Sequence, residues 1–216
     1  MKKIVLLSIT VLCITGLFAQ NSSFNIDLNG GTRLLGMKNA RSNYDCAMAD
    51  LSANLGVTYM FCNLTNEDLL RSIGIRLDYG FDQITSFIPG TETETKTALM
   101  RATGQVVVNV DDLFGMELAP FGLIAHGGGG VSFMSNPDSP APRADRMLHF
   151  IAGISPRYWI NENIAVNMDF SFVGLDRQNW GVEMLSRFGS PTIGKYVNMS
   201  LGITIGLGQE PSESKY

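Results

Sequence analysis

From residue 24 onwards the chain alternates large apolar side chains with small polar ones, and it does so in eight separate stretches. A period of two belongs to extended backbone, where successive side chains point to opposite faces. Phe24, Ile26, Leu28, Thr32 and Leu34 share one face of the first stretch, opposite Asn25, Asp27, Asn29, Gly31 and Arg33. The second runs from Ala47 to Phe61, with Leu51, Leu55, Val57 and Tyr59 opposite Asp50, Ser52, Asn54 and Thr58. The third (Ser72 to Phe81) opposes Ile75, Leu77 and Tyr79 to Arg76 and Asp78. The fourth (Met100 to Val110) opposes Val106 and Val108 to Arg101, Thr103 and Gln105. Four further stretches repeat the pattern at Phe121 to Phe133, Leu148 to Ile160, Ile164 to Phe172 and Val197 to Leu207. Such a chain is all-β.

The connections alternate as well. Asn63 to Asp68, Asp111 to Glu117 and Asn161 to Asn163 are short and polar. Gln83 to Thr97, Met134 to Arg146 and Gly174 to Tyr196 are long, and Met37 to Asp45 is a shorter member of that set. Short turns at one end and long loops at the other are the pattern of an up-and-down barrel that crosses a membrane.

Alternation alone also fits a soluble sandwich with one wet face. The residue types on the polar face decide between them. Beyond the N-terminus, lysine occurs only at Lys38, Lys96, Lys195 and Lys215, all at expected loops, strand ends or the tail. The polar face is mostly Gly, Ser, Asn, Thr and Asp, small enough to fill the narrow interior of an eight-stranded barrel. Its ionisable groups balance: Asp27, Asp50, Asp78 and Asp169 against Arg33, Arg76, Arg101 and Arg157. An Arg facing lipid at mid-depth costs about 2–4 kcal/mol. A one-residue shift in register would turn every such charge outward. The exception on the apolar parity, Arg71, stands at the start of the third strand, where it can snorkel. The expected fold is an eight-stranded antiparallel up-and-down transmembrane β-barrel over residues 20–207, followed by a short polar tail, 208–216.

The N-terminus fits export. Lys2 and Lys3 precede the apolar run Ile4 to Phe18, and Ala19 offers a small-residue exit. That is the build of a signal peptide, expected to be cleaved after Ala19. Cys13 follows Leu12 rather than a small residue, which argues against a lipoprotein. Cys46 and Cys62 sit at the two ends of one expected strand, on the order of 50 Å apart at about 3.3 Å per residue, too far to bridge within one chain. Without residues 1–19 the chain keeps 14 basic and 20 acidic side chains. That acidic balance excludes a nucleic-acid partner.

Three motifs carry a family likeness. Gly153-Ile-Ser-Pro156-Arg-Tyr-Trp-Ile-Asn-Glu-Asn163, followed by Ile164 to Val173 with Asp169 at its centre, resembles a hairpin of small outer-membrane β-barrel proteins of the OmpA-like, porin-family type. Thr103 to Asn109 and His126 to Gly130 look like the fourth and fifth strands of the same group. The resemblance implies insertion in the outer membrane of a gram-negative cell, with turns in the periplasm and loops outside. Many members continue into a peptidoglycan-binding domain. Here the sequence ends at Tyr216, so no such domain is expected.

Chemistry is sparse. His126 and His149 share the interior parity and are expected to hydrogen-bond there, since no third ligand has metal spacing. Neither is followed by the His-x-Ser arrangement of lipid A deacylases. Gly127 to Gly130 lacks the Lys-Ser/Thr of a phosphate loop and reads as strand curvature. Asp111-Asp112 and Asp176-Arg177 read as solvated charges. No catalytic, cofactor or metal site is expected. The expected role is structural, at the cell surface, or weak porin-like passage of small solutes. The alternatives are an adhesin or receptor acting through loops 83–97 and 174–196, and a soluble secreted barrel holding a small ligand. Outer-membrane lipid is the expected partner.

Overall fold

The computed structural model describes residues 23–34, 48–61, 72–87, 94–116, 118–135, 145–178 and 192–207. Eight strands follow one another: β1 (Ser23–Leu34), β2 (Met48–Met60), β3 (Ile73–Phe87), β4 (Glu94–Asn109), β5 (Phe121–Ser135), β6 (Asp145–Asn161), β7 (Ile164–Gln178) and β8 (Thr192–Leu207). Each pairs antiparallel with its neighbour, and β8 returns to β1 to close the barrel. Closure leaves no strand edge unpaired.

The register fixes the shape. A row of paired residues starts at Phe24 and passes through Tyr59, Ile75, Val106, Gly127, Ala152, Phe172 and Val197. It re-enters β1 at Leu34, ten residues further along. A stagger of that size tilts the strands by roughly 40°. The outward row of β8, Val197 to Leu207, is apolar at every position. At about 3.3 Å per residue and that tilt it spans about 25 Å, the height of the apolar band on membrane barrels.

Orientation is unambiguous. Leu77 is 70% exposed, Leu51 65% and Ile203 48%, whereas Arg101 on the opposite parity is 3% exposed. The greasy face looks out around the whole circumference. A water-soluble surface does not carry a continuous apolar wall of this kind. Aromatic side chains gather near the turn end of that wall, with ring centroids 4.9 Å apart for Phe24–Tyr59 and 5.2 Å for Phe121–Tyr158. Phe150 and Phe172 pair nearer the other end.

Several strands outrun their alternation. β3 reaches Phe87 and β4 begins at Glu94, so most of the expected loop 83–97 is a ladder, with Gln83 facing Ala98 and Phe87 facing Glu94. β5 extends to Ser135, β6 begins at Asp145, β7 reaches Gln178 and β8 begins at Thr192. The expected loop 174–196 is shortened in the same way, and Lys96 and Lys195 lie on strands. Alternation needs two unlike surroundings, while a ladder needs only backbone groups. From Gln83 to Ser86 polar residues occur on both parities, so pairing persists where the pattern has ended.

The Asp111 to Glu117 turn also differs from expectation. Val110–Phe114 form a short helix, α1. Asn109 caps it, its side-chain oxygen accepting from the Asp111 amide, and Gly115 ends it at φ 61°. The expected signal segment 1–19, the expected tail 208–216, Cys46, Cys62 and Arg71 lie outside the described residues.

Glycines on β5 set how closely it approaches β4. A Cβ on Gly130 would run into the Ala102 carbonyl, and one on Gly128 into the Gly104 carbonyl, whereas Gly127 has ordinary clearance at 3.7 Å. Gly130→Ala is therefore expected to destabilise the barrel by about 1–3 kcal/mol, the usual range for overpacking. Gly127→Ala should leave it nearly unchanged. Urea titration of the two refolded variants, followed by the folded band on unheated gels, checks this; equal midpoints would contradict it.

Candidate functional site

Inward-facing side chains fill the barrel in layers. At the turn end Met60, Val107 and Ile124 form a small apolar cluster. Towards the loop end Leu99, Met134, Met147, Ile151, Val173, Leu175 and Tyr196 form a larger one. Buried polar and charged groups occupy other inward positions. Ionisable residues expected on the inner face share the interior with these two apolar layers, which the alternation did not mark.

Asp27 is the hub of the polar layer. Arg157 Nη2 stands 3.2 Å from its Oδ1, and Arg76 Nη1 lies 3.7 Å from its Oδ2. Thr204 Oγ1 donates to Oδ1 at 2.5 Å, and Thr58 Oγ1 to Oδ2 at 3.4 Å. Groups from β1, β2, β3, β6 and β8 thus meet at one carboxylate. Arg76 also pairs with Asp78, Nε to Oδ1 at 2.8 Å. The Gln105 amide donates to the other oxygen of Asp78 and turns its carbonyl towards His126 Nδ1 at 2.6 Å.

Beyond His126 lies Asp169. Nε2 approaches Asp169 Oδ2 to 3.0 Å, without the alignment of a good hydrogen bond. Ser155 Oγ donates to the same carboxylate at 2.6 Å, and Ser171 Oγ to its other oxygen. A second cluster joins β2, β3 and β4. Arg101 Nε donates to Asp82 Oδ2 and Nη2 to Asn54 Oδ1, both at 3.0 Å, while Ser52 Oγ donates to Asp82 Oδ1 at 2.6 Å. The Arg101 guanidinium lies 5.8 Å from the centre of the Tyr196 ring. His149 stands between Thr103 Oγ1 at 2.9 Å and Ser132 Oγ at 2.8 Å.

Of the ten residues the sequence singled out, Asp27, Arg76, Asp78, Arg101, His126, His149, Arg157 and Asp169 carry their side chains inward. Arg33 and Asp50 lie on β1 and β2, and their side chains are outside what the structure describes. Arg76, Asp78, His126, Arg157 and Asp169 gather around the Asp27 network, whereas Arg101 belongs to a separate group. Its partner, Asp82, escaped sequence reasoning, as did buried Asp145 on β6. Asp82 lies one position past the end of the expected third strand, and Asp145 lies inside the expected loop from Met134 to Arg146. Asp111 is not simply a solvated charge either, since its Oδ2 accepts from the Leu123 amide at 2.9 Å.

Chemically this interior holds more than it offers. His126 meets an amide and a carboxylate, and His149 meets two hydroxyls. Among the described residues neither imidazole has a hydroxyl on one nitrogen and a carboxylate on the other, the relay that activates a nucleophile. No group of three or more His, Cys, Asp or Glu among them is placed to hold a metal ion. Among the polar side chains lies a cavity of about 20 Å³, bordered by Asn29, Asn198, Arg76 and His126. That is room for one or two waters rather than a solute.

No protein-family model matches the sequence, and no curated protein sequence matches it. Solved structures do match by shape. Neisserial surface protein A (NspA) aligns over 84% of this chain and 96% of its own, with a TM-score of 0.56 and 11% identity. A major outer membrane protein from Thermus thermophilus aligns over 86% of this chain and 99% of its own, with a TM-score of 0.52 and 13% identity. At such identities the likeness establishes the fold and not the task. The chain is a closed, eight-stranded, up-and-down antiparallel barrel with the fold of the small outer-membrane β-barrel proteins.

Proposed function

We propose that this chain is a non-enzymatic, integral outer-membrane barrel of a gram-negative cell, exported by its N-terminal signal, with a structural or surface role and a lumen closed to solutes. The observation that carries the reading is the inside-out distribution of side chains. An apolar wall of about bilayer height surrounds a charged axis, and apolar layers stand towards both ends of that axis. Passage through such a lumen would require breaking buried ion pairs and displacing Leu99, Met134 and Ile151 together. The closed lumen therefore favours a role in membrane integrity over weak porin-like passage.

Two measurements test this. Refolded protein in planar bilayers is expected to give no large, long-lived conductance, and a stable open channel would sink the closed-lumen reading. Cell fractionation is expected to place the protein with the outer membrane and to give a heat-dependent shift in gel mobility. A soluble ligand-binding barrel would give neither. A surface-contact role draws support from the β3–β4 ladder, which continues to Phe87 and Glu94 and forms a paired ribbon leading to residues 88–93. Shortening that ribbon while the barrel still assembles would abolish surface contact and leave membrane integrity intact.

A further inference from the structure

The β4–β5 connection is built with more care than a passive turn requires, and it displays its apolar residues. Asn109 caps α1 at both of its side-chain atoms, with Oδ1 accepting from the Asp111 amide at 3.2 Å and Nδ2 donating to Asp112 Oδ2 at 2.6 Å. The Asp111 carboxylate ties the helix to β5 through the Leu123 amide. The Met116 amide donates back to the Asp111 carbonyl at 2.9 Å, and the Phe121 amide to the Leu118 carbonyl at 2.8 Å. A turn held at so many points has a fixed outer surface.

That surface is apolar. Phe114 is 69% exposed, and Leu113, Met116 and Leu118 are also exposed, while no residue of α1 is buried. Val110, Leu113 and Phe114 stand at i, i+3 and i+4, one face of the helix. Val110 also holds the outward parity of β4, following Val106 and Val108. On the far side of the turn the chain re-enters the barrel at Phe121, again outward and exposed. The apolar face of α1 is thus continuous with the wall that the membrane reading assigns to lipid. Among the described residues of the turn, the acids Asp111 and Asp112 are engaged within it.

We propose that this turn is an interfacial anchor, with Leu113, Phe114, Met116 and Leu118 seated in the headgroup–acyl boundary of the leaflet on the short-turn side. The inference rests on the membrane-barrel reading above. Its occupant is lipid because the patch is continuous with the lipid-facing wall through Val110 and Phe121, and the carboxylates of Asp111 and Asp112 are held within the turn. The apolar faces of interfacial helices bury themselves at the same headgroup–acyl boundary.

The test uses the full chain refolded at low protein-to-lipid ratio in phosphatidylcholine vesicles. Phe114→Trp and, as the wall control, Val106→Trp are each placed in a Trp159→Phe, Trp180→Phe background. Emission is quenched by lipids labelled near the headgroup and, separately, by aqueous acrylamide. Phe114→Trp is expected to emit to the blue of free tryptophan, to be quenched by the labelled lipid and to be shielded from acrylamide. Acrylamide quenching at Phe114 with lipid quenching only at Val106 overturns the anchor and leaves the membrane barrel standing. Absence of lipid quenching at both positions overturns the membrane reading itself. Shielding of Phe114 that arises only at high protein-to-lipid ratio, or only in native envelopes, assigns the patch to a second copy or to another protein and overturns the lipid assignment. If the tryptophan-depleted background loses its heat-dependent gel shift, a nitroxide on Phe114→Cys in a Cys13→Ser, Cys46→Ser, Cys62→Ser chain gives the same comparison. Oxygen then reports lipid exposure and a water-soluble nickel complex reports water exposure.

Discussion

Asp27→Ala is expected to remove about 3–5 kcal/mol of stability, the cost of leaving buried charges without their partner. Two guanidiniums, those of Arg76 and Arg157, converge on this carboxylate, and Thr58 and Thr204 spend their hydroxyl protons on it. Arg76 retains Asp78 in the variant. Arg157 has only Asp27 among its ion pairs at the described residues, so its charge is the one stranded. Asp27→Asn keeps acceptor and shape, and should fall between wild type and alanine. Urea unfolding of the refolded barrel, read by tryptophan fluorescence and by the folded band on unheated gels, gives the difference directly. A loss below about 1 kcal/mol, the scale of an exposed ion pair, would mean that water reaches the axis and that the layered interior is wrong.

Leu28→Arg is expected to cost about 2–4 kcal/mol, the penalty for an arginine at the bilayer midplane of a barrel. Leu28 is half exposed, pairs with Leu55 and Ile203, and sits midway along the outward row of β1. Depth supplies the control. Ile160→Arg, near the turn end of β6, should cost only about 0–1 kcal/mol by the same scale. A sheet facing water would treat the two alike, each within about 0.5 kcal/mol of neutral. Refolding into vesicles and urea titration of both variants distinguishes these outcomes, and a neutral Leu28→Arg would contradict a lipid-facing wall.

Much of the barrel was legible because a single rule covered it. Wherever apolar and polar residues alternated cleanly, as from Val197 to Leu207, parity assigned the correct face and the structure follows it. The rule had nothing to say where both parities carried the same character. Leu99 beside Met100, and Val107 between Val106 and Val108, are apolar runs, so the inward members of the two apolar layers could not be picked out. Gln83 to Ser86 are polar on both parities or nearly so, which hid the continuation of β3 and, just before it, the inward Asp82.

The pairing of Arg101 with Asp82 was out of reach for a different reason. It depends on the cross-strand register that sets Asp82 opposite Leu99, and no single stretch of sequence contains that register. The helix at 110–114 did leave a signal. Asn109 followed by two acids, with Gly115 closing the segment, is a capped helix turn. The alternation carried through Val110 and masked it.

The place of Asp27 has a consequence for how the molecule must form. Its partners lie on both sides of the β1–β8 junction, Thr204 on the last strand and Thr58 on the second, with Arg157 reaching across from β6. An unclosed sheet with β8 still apart would leave this acid and two bases poorly matched in a medium that punishes bare charge. Zipping the final junction and neutralising the axis are therefore the same event. Assembly should proceed without a long-lived half-zipped form, and rupture of that one junction should release the whole cylinder at once.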